Sequence, residues 1–381
     1  MSKVIKVCHH SKTIGFAGTD RVAQLFCKYL KEMDGVEPYL VYREGDDTSR
    51  LDIVREMLGD DHVIPYSHTH KKNARPPYLP ESDNLAEVLA AINPDIFHIH
   101  RSGYPEWPGV REVVPAHTKI VETNIFGYSD LTKAIDANIY ISDHIRNSAL
   151  RSGNPDGPVI YNPTERRIFR DDLPLGEAKA IARNELIEVL YKDYGVEIPG
   201  DAILVGRVGR ADNFDPIALK AFSKATEANP EKDVWYLVVN GCERWVETAA
   251  ELGITNIVFI DPIIDDEELS RFYSALDIYA HARHDGECCP CNIQEAMMHG
   301  VPIISHVSQM YNGQAEIIGD VGFVAPLADT MAYADFLDQL INDDEARKKL
   351  NVLVLRRAMR HFEASCITSG LAKVYEWVMD N

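Results

Sequence analysis

Two carboxylates, Glu287 and Glu295, stand eight positions apart in a stretch with strong local punctuation, residues 284–302. Pro290 suits the first position of a helix, where a missing N–H costs nothing. Gly300 suits the position just past a helix end, and Pro302 blocks continuation. The pattern predicts a helix over roughly 290–299, preceded by a buried strand over 277–282. A helix start carries unpaired backbone N–H groups and the positive end of the peptide dipoles, so it attracts anions. Glu287 on the loop and Glu295 on the helix would bracket such an anion. Ionised carboxylates only accept hydrogen bonds, which makes sugar hydroxyls good partners for them.

Other residues invite chemistry. An apolar strand over 4–10 runs into Gly15-Phe16-Ala17-Gly18-Thr19-Asp20-Arg21-Val22, then into a helical pattern with Val22, Leu25, Phe26, Tyr29 and Leu30 on one face. Strand, glycine loop and helix make either a simple turn or a phosphate cradle with Gly18 and Thr19 in it. In Pro94-Asp95-Ile96-Phe97-His98-Ile99-His100, alternation puts Ile96, His98 and His100 on one face. His100 lies at the carboxyl end of the strand, where ligands of open α/β sheets bind, and His98 reads as structural. Cys288, Cys289 and Cys291, with His284 and His299 nearby, raise a metal site. Their spacing is too tight for the usual zinc pairs and no second pair follows, so no metal is expected.

These residues must be positioned by an alternating chain. Strand patterns fall at 4–10, 38–42, 62–66, 96–100, 119–123, 139–142 and 159–161, then at 202–208, 234–239, 257–260, 277–282, 302–305 and 323–326. Helical patterns such as 84–92, 177–194 and 265–276 separate them, which argues for parallel sheets covered on both faces. The polar, basic, Pro-rich run 68–80 reads as a loop. The charged run 164–176, with Pro174 and Gly176, fits an interdomain connection. A basic amphipathic helix is expected over 346–362, carrying Arg347, Lys348, Lys349, Arg356, Arg357 and Arg360. Such a face usually meets solvent, and it leaves peripheral contact with a membrane surface as an option.

The 381-residue length suits two domains, and a hydrophobic share of 45% suffices for their cores. A formal net charge of −20 argues against nucleic-acid partners and against adsorption to anionic membranes. No apolar run reaches the length of about twenty residues that a spanning helix needs. The start lacks a signal-peptide pattern, and seven cysteines form no even framework, so a cytoplasmic protein is expected.

The spacing from Glu287 to Glu295, followed by Ala296-Met297-Met298-His299-Gly300-Val301-Pro302, resembles the signature of the retaining glycosyltransferases of family 4, the glycosyl transferases group 1. That resemblance implies the GT-B fold, an α/β arrangement of two Rossmann-like domains facing a central cleft. It implies an acceptor-side domain over 1–164, with the helix 363–381 packing back on it, and a nucleotide-sugar-binding domain over 165–362. Glu287 would then contact the donor sugar and Glu295 the ribose. Backbone N–H groups at Cys291 and Asn292 would hold the diphosphate, because Pro290 has none to give. The loop Ala17-Gly18-Thr19-Asp20-Arg21 is similar to the family's Gly-Gly-Thr-Glu-Arg loop, with Asp20 replacing the glutamate. Pro94–His100 resembles the family's Pro-Asp-hydrophobic-x-His-x-His strand.

Two departures stand out. Where relatives place a histidine near the donor sugar, this chain has Asn124. Relatives place an Arg after Val-Gly and a Lys five residues on as a diphosphate clamp. Arg207 is in place, the second position is Asp212, and Arg210 is the best substitute. The resemblance implies transfer of a sugar from a UDP- or GDP-sugar to a hydroxyl acceptor (a glycan, lipid or small molecule), keeping the anomeric configuration and needing no metal or other cofactor. The rival readings are a nucleotide-sugar binder without turnover, and a phosphorylase or epimerase of the same fold.

Overall fold

The apolar strand patterns assemble into two six-stranded parallel sheets. In a computed structural model of the chain, the described residues are 4–69, 82–101, 103, 105, 107–130, 133–167, 169–170 and 172–381. They form two compact units, Met1–Pro163 with Phe362–Asn381, and Thr164–His361.

In the first unit the elements run β1 (Ile5–Ser11), α1 (Gly18–Lys31), β2 (Val36–Arg43), α2 (Leu51–Leu58), β3 (Val63–Tyr66), β4 (His68–Thr69), β5 (Ser82–Asp83), α3 (Leu85–Ile92), β6 (Ile96–Arg101), β7 (Lys119–Asn124), β8 (Ala137–Tyr140) and α4 (Asp143–Arg151). The sheet order is β3-β2-β1-β6-β7-β8. Strands from the first half of the unit lie to one side of β1 and later strands to the other, so the order reverses between β1 and β6. Such reversals open the crevice where doubly wound sheets bind ligands. Both faces of the sheet are covered, which is why Val7, Leu40, Phe97 and Val121 are all buried despite pointing to different sides.

The second unit repeats the plan. Its elements are α5 (Leu175–Tyr194), β9 (Ile203–Val208), α6 (Ile217–Ala228), β10 (Val234–Val239), α7 (Glu243–Glu251), β11 (Ile257–Ile260), α8 (Asp266–Ala275), β12 (Ile278–Ala280), β13 (Gly286–Glu287), α9 (Cys291–Met298), β14 (Ile303–His306), β15 (Tyr311–Asn312), α10 (Gly313–Ile318), β16 (Phe323–Ala325), α11 (Thr330–Asn342) and α12 (Asp344–His361). The order β11-β10-β9-β12-β14-β16 reverses between β9 and β12. Asp277, just before β12, accepts from Leu204 N–H at 2.9 Å and pairs with Lys179 at 3.1 Å and Arg183 at 2.9 Å. One carboxylate thereby ties α5 to the two strands at the reversal. The last helix, α13 (Ala364–Asp380), belongs to the first unit, where Tyr375 reaches the sheet histidines.

Several elements differ from the sequence reading. Residues 159–161 give only a single bridge, Tyr140 to Val159. Ser142 caps α4 by accepting from Ile145 N–H. The loop expected over 68–80 begins as β4, paired antiparallel with β5, and residues 70–81 lie outside the described residues. The basic helix is α12. Arg357 donates to the carbonyls of Ile317 at 2.8 Å and Glu316 at 2.7 Å, and Lys348 pairs with Asp344 at 2.7 Å. Part of its positive charge therefore caps a neighbouring helix or balances acids on its own first turn. Among the described residues, no helix is long and apolar enough to cross a membrane.

Candidate functional site

Arg207 is the most unusual side chain in the second unit. It sits on the penultimate position of β9 and is 1% exposed, yet none of its guanidinium nitrogens has a hydrogen bond among the described residues, and Nε and Nη1 are fully buried. Its plane lies over Trp245, 4.6 Å from the ring centre. Gly209 has no side chain because a Cβ there would overlap Arg207 Nη2. A desolvated cation without an anion is costly, so such a group implies a partner that arrives from outside.

The first turn of α9 stands beside it. Asn292 Nδ2 donates to the carbonyl of Val208 at 2.8 Å, and Tyr279 donates its hydroxyl to the same carbonyl at 2.8 Å. Those bonds fix the helix start against the end of β9. Pro290 is the N-cap residue rather than the first helical one, and Asn292 Oδ1 accepts from Ile293 N–H. The start of α9 is thus tied to the end of β9, one residue past Arg207, at the strand-order reversal.

Glu287 lies in β13. Gly286, at φ +73°, lets the loop approach β15, where any Cβ would overlap the Tyr311 carbonyl. Gly313 approaches the Cys288 carbonyl in the same way. Glu287 N–H donates to Gln314 Oε1 at 3.0 Å. The carboxylate accepts from Arg283 Nη1 at 2.7 Å, and its other oxygen stands 3.6 Å from His281 Nε2. Burial pushes the Glu287 carboxyl up, but His281 and Arg283 outweigh burial and hold it below its ordinary value. Burial lowers His281, against the pull of Glu287.

Glu295, on α9, accepts from the Tyr273 hydroxyl at 3.0 Å. Tyr273 stacks on His299, whose Nε2 is 3.1 Å from Ser270 Oγ. Arg167, paired with Asp266 and with Glu165 at 3.2 Å, feels the Glu295 charge. Arg210 stands apart from this cluster. It is 67% exposed and pairs with Asp212 at 3.1 Å, so the substitute clamp suggested by sequence points into solvent. Trp245, His281, Arg283, Gln314 and Tyr273 escaped the sequence reading, because only contact with Arg207, Glu287 or Glu295 gives them a role.

In the first unit, Gly18 and Thr19 open α1 and are exposed. Asp20 turns inward instead, accepting from Ser11 Oγ at 2.9 Å and from Thr13. Burial raises its carboxyl, against the bonds from Thr13, Ser11 and the Gly15 backbone. Asn124 is fully buried. It donates to the Tyr128 carbonyl at 3.0 Å and accepts from Gly127 N–H at 2.7 Å, so both ends of its amide brace the loop after β7. His100 is half-buried with Nε2 3.2 Å from His9 Nδ1, and burial lowers it to about 4. A chain continues from His9 Nε2 to Tyr375 at 3.0 Å, to His98 Nδ1 at 2.6 Å, and from His98 Nε2 to Thr123 at 2.8 Å. Among the described residues, His9, His98 and His100 are the one group of metal-ligand types brought together. Every nitrogen of His9 and His98 is used within this hydrogen-bonded chain. Cys288, Cys289 and Cys291 are free thiols, and burial raises that of Cys288.

Comparison with known proteins places these observations. Residues 197–352 match the family described as Glycosyl transferases group 1. The chain is 28% identical over 190 residues to a D-inositol 3-phosphate glycosyltransferase of Corynebacterium diphtheriae, a match covering 47% of this chain and 43% of that protein. It is 29% identical over 147 residues to a phosphatidyl-myo-inositol mannosyltransferase of Mycobacterium leprae, covering 38% of each. The chain thus spans less than half the length of these curated relatives. A glycosyltransferase structure from Rickettsia africae superposes with a TM-score of 0.75 at 17% identity, covering 99% of both chains. The Anabaena HepE structure with UDP-glucose gives 0.70 at 14%, covering 98% of this chain and 99% of that one. Two Rossmann-like parallel α/β units of the GT-B class are the shared fold. Over residues 197–352, the sequence of the second unit is similar to the glycosyl transferases group 1.

Proposed function

We propose that this protein is a retaining glycosyltransferase that moves a sugar from a nucleotide diphosphate sugar to an acceptor hydroxyl. One observation carries the reading. Arg207, a buried guanidinium with no hydrogen bond among the described residues, comes from the strand end to which the start of α9 is bonded. A diphosphate supplies the missing anion and the missing acceptors at once.

In this reading Arg207 and the amides at Cys291 and Asn292 hold the diphosphate, Glu295 accepts from the ribose hydroxyls, and Glu287 contacts the donor sugar. The bond from the anomeric carbon to the diphosphate oxygen breaks, and a bond to the acceptor oxygen forms on the same face. The acceptor proton passes to the leaving phosphate. Charge builds on the diphosphate as the bond breaks, so the preorganised cation and helix start lower the barrier. The reaction is proposed to need no metal ion, because guanidinium and helix dipole supply the positive charge. His100, Gly18 and Thr19 are proposed to face donor or acceptor. Support for an activated sugar as donor comes from the fold shared with HepE, which binds UDP-glucose, and support for a hydroxyl acceptor from relatives named for inositol derivatives. Seven free cysteines support a reducing, cytoplasmic setting.

The test is a mass-spectrometric product assay over UDP- and GDP-sugars with glycan, lipid and inositol-type acceptors. A product heavier than the acceptor by one sugar residue, with the donor's anomeric configuration, is expected. Asp212 at the second clamp position, with Arg210 turned to solvent, favours one rival, a binder without turnover. That rival predicts nucleotide-sugar binding and no product with any acceptor.

A further inference from the structure

Glu287 is expected to meet the donor sugar, yet its carboxylate is not what the loop leaves open. One oxygen is held by Arg283 Nη1 at 2.7 Å, and the other faces His281 at 3.6 Å. The Glu287 side chain is 14% exposed, while that of Arg283 is 26% exposed. Arg283 Nε and Nη2 have no hydrogen-bond partner among the described residues, and neither is sealed from solvent. Those two N–H groups form one edge of the guanidinium plane, the edge that grips a carboxylate at two points. Beside Glu287, the unused hydrogen-bonding capacity is therefore a cationic fork of donors.

Among the described residues, Glu287 is the one acid paired with Arg283. Burial lowers His281, against the pull of Glu287. Asp215 stands 3.7 Å from His284 and also acts on His306, whose Nε2 accepts from Arg283 N–H at 3.4 Å, but it forms no ion pair with Arg283 among the described residues. Arg207 is the diphosphate ligand in the proposed reaction, which leaves Arg283 to the sugar.

Resting on the reading of this site as a nucleotide-sugar site, we propose that Arg283 is a specificity-determining residue, and that the transferred sugar carries a carboxylate, as a uronic acid does. Its carboxylate docks on the Nε–Nη2 edge while Nη1 keeps Glu287 in place. A neutral hexose offers no anion to that edge and leaves it to water.

The experiment pairs donors that differ only at that group: UDP-glucose with UDP-glucuronate, and GDP-mannose with GDP-mannuronate, with bare UDP and GDP as references. Thermal shift and turnover are read for the wild type, Arg283→Lys and Arg283→Ala. For the nucleotide the protein accepts, the uronate donor is expected to give a kcat/KM about tenfold or more above its neutral partner, as for a site built around a polar group. Arg283→Ala removes or inverts that preference, since it also releases Glu287 for hydroxyls. Arg283→Lys, which keeps the charge and loses the fork, retains part of it. Affinity for the bare diphosphate stays within about twofold of wild type in both variants, because the nucleotide is held elsewhere in the site. Equal use of both donors, or preference for the neutral one, overturns this proposal and leaves Arg283 as a brace for Glu287. In that case binding of bare UDP or GDP shows that the diphosphate site itself stands. Failure of every nucleotide to bind overturns both.

Discussion

Arg207 gives the sharpest expectation at the scale of single residues. A buried cation without a counterion costs stability, and replacing buried charge with an apolar group of similar length is often neutral or stabilising. Arg207→Met should therefore melt at the wild-type temperature or above it, while losing affinity for nucleoside diphosphates by about 2 kcal/mol, or roughly thirtyfold. Calorimetric melting and titration on the same variant check both halves. Glu295 and Glu287 divide differently. Glu295→Ala should weaken nucleotide binding, and Glu287→Ala should cut turnover more than nucleotide affinity, separable by comparing kcat with the dissociation constant of the bare diphosphate. Tyr273→Phe removes the hydroxyl bonded to Glu295. It should cost about 1 kcal/mol of nucleotide affinity with the fold intact. At this scale local punctuation in the sequence singles out Glu287 and Glu295, whereas Arg207 is singled out by the family resemblance. The sequence was poor on Arg210 and Asn124. One points outward to Asp212 and the other inward to its own loop, and neither direction follows from residue type.

At the scale of elements, the site depends on two backbone approaches that only glycine allows. Gly313 meets the Cys288 carbonyl and Gly286, at φ +73°, meets the Tyr311 carbonyl. Gly313→Ala must push β13 and α10 apart. A loss of about 2 kcal/mol or more in the stability of the second unit is expected, with a matching loss of turnover, as measured by denaturant melts and initial rates. The helix ends near 290 and 300 were legible from Pro290, Gly300 and Pro302, since capping chemistry is local. The β13–β15 pairing was not, because its partners are separated by a helix and a strand and carry no alternation. The same holds for β4 and β5, two residues each.

For the whole molecule, two tethers hold long-range architecture. Asp277 joins α5, β9 and β12. Burial raises its carboxyl, but Lys179, Arg183 and the Leu204 amide more than offset that, leaving it below its ordinary 3.8. Its contribution is therefore whole above the ordinary carboxylate range and is lost as pH falls from there through the lower folded value. Asp277→Asn should flatten the acid limb of the melting profile below about pH 4 and lower stability by about 3 kcal/mol at neutral pH. Tyr375 ties the last helix to His9 and His98, a contact between residues 366 apart in the chain. The doubly wound plan itself was readable from alternating strands and helices. Its strand order was not, since long-range pairing leaves little trace in local composition.

The central claim is that Arg207 and the start of α9 await a diphosphate. Titration of UDP, GDP and ADP, each beside its parent nucleoside, into wild type and Arg207→Met tests it most directly. At least one diphosphate should bind the wild type while its nucleoside binds far more weakly, and the variant should lose most of that difference without losing stability. A variant that binds the diphosphate as well as the wild type does, or a wild type that binds none of the three, would contradict the account.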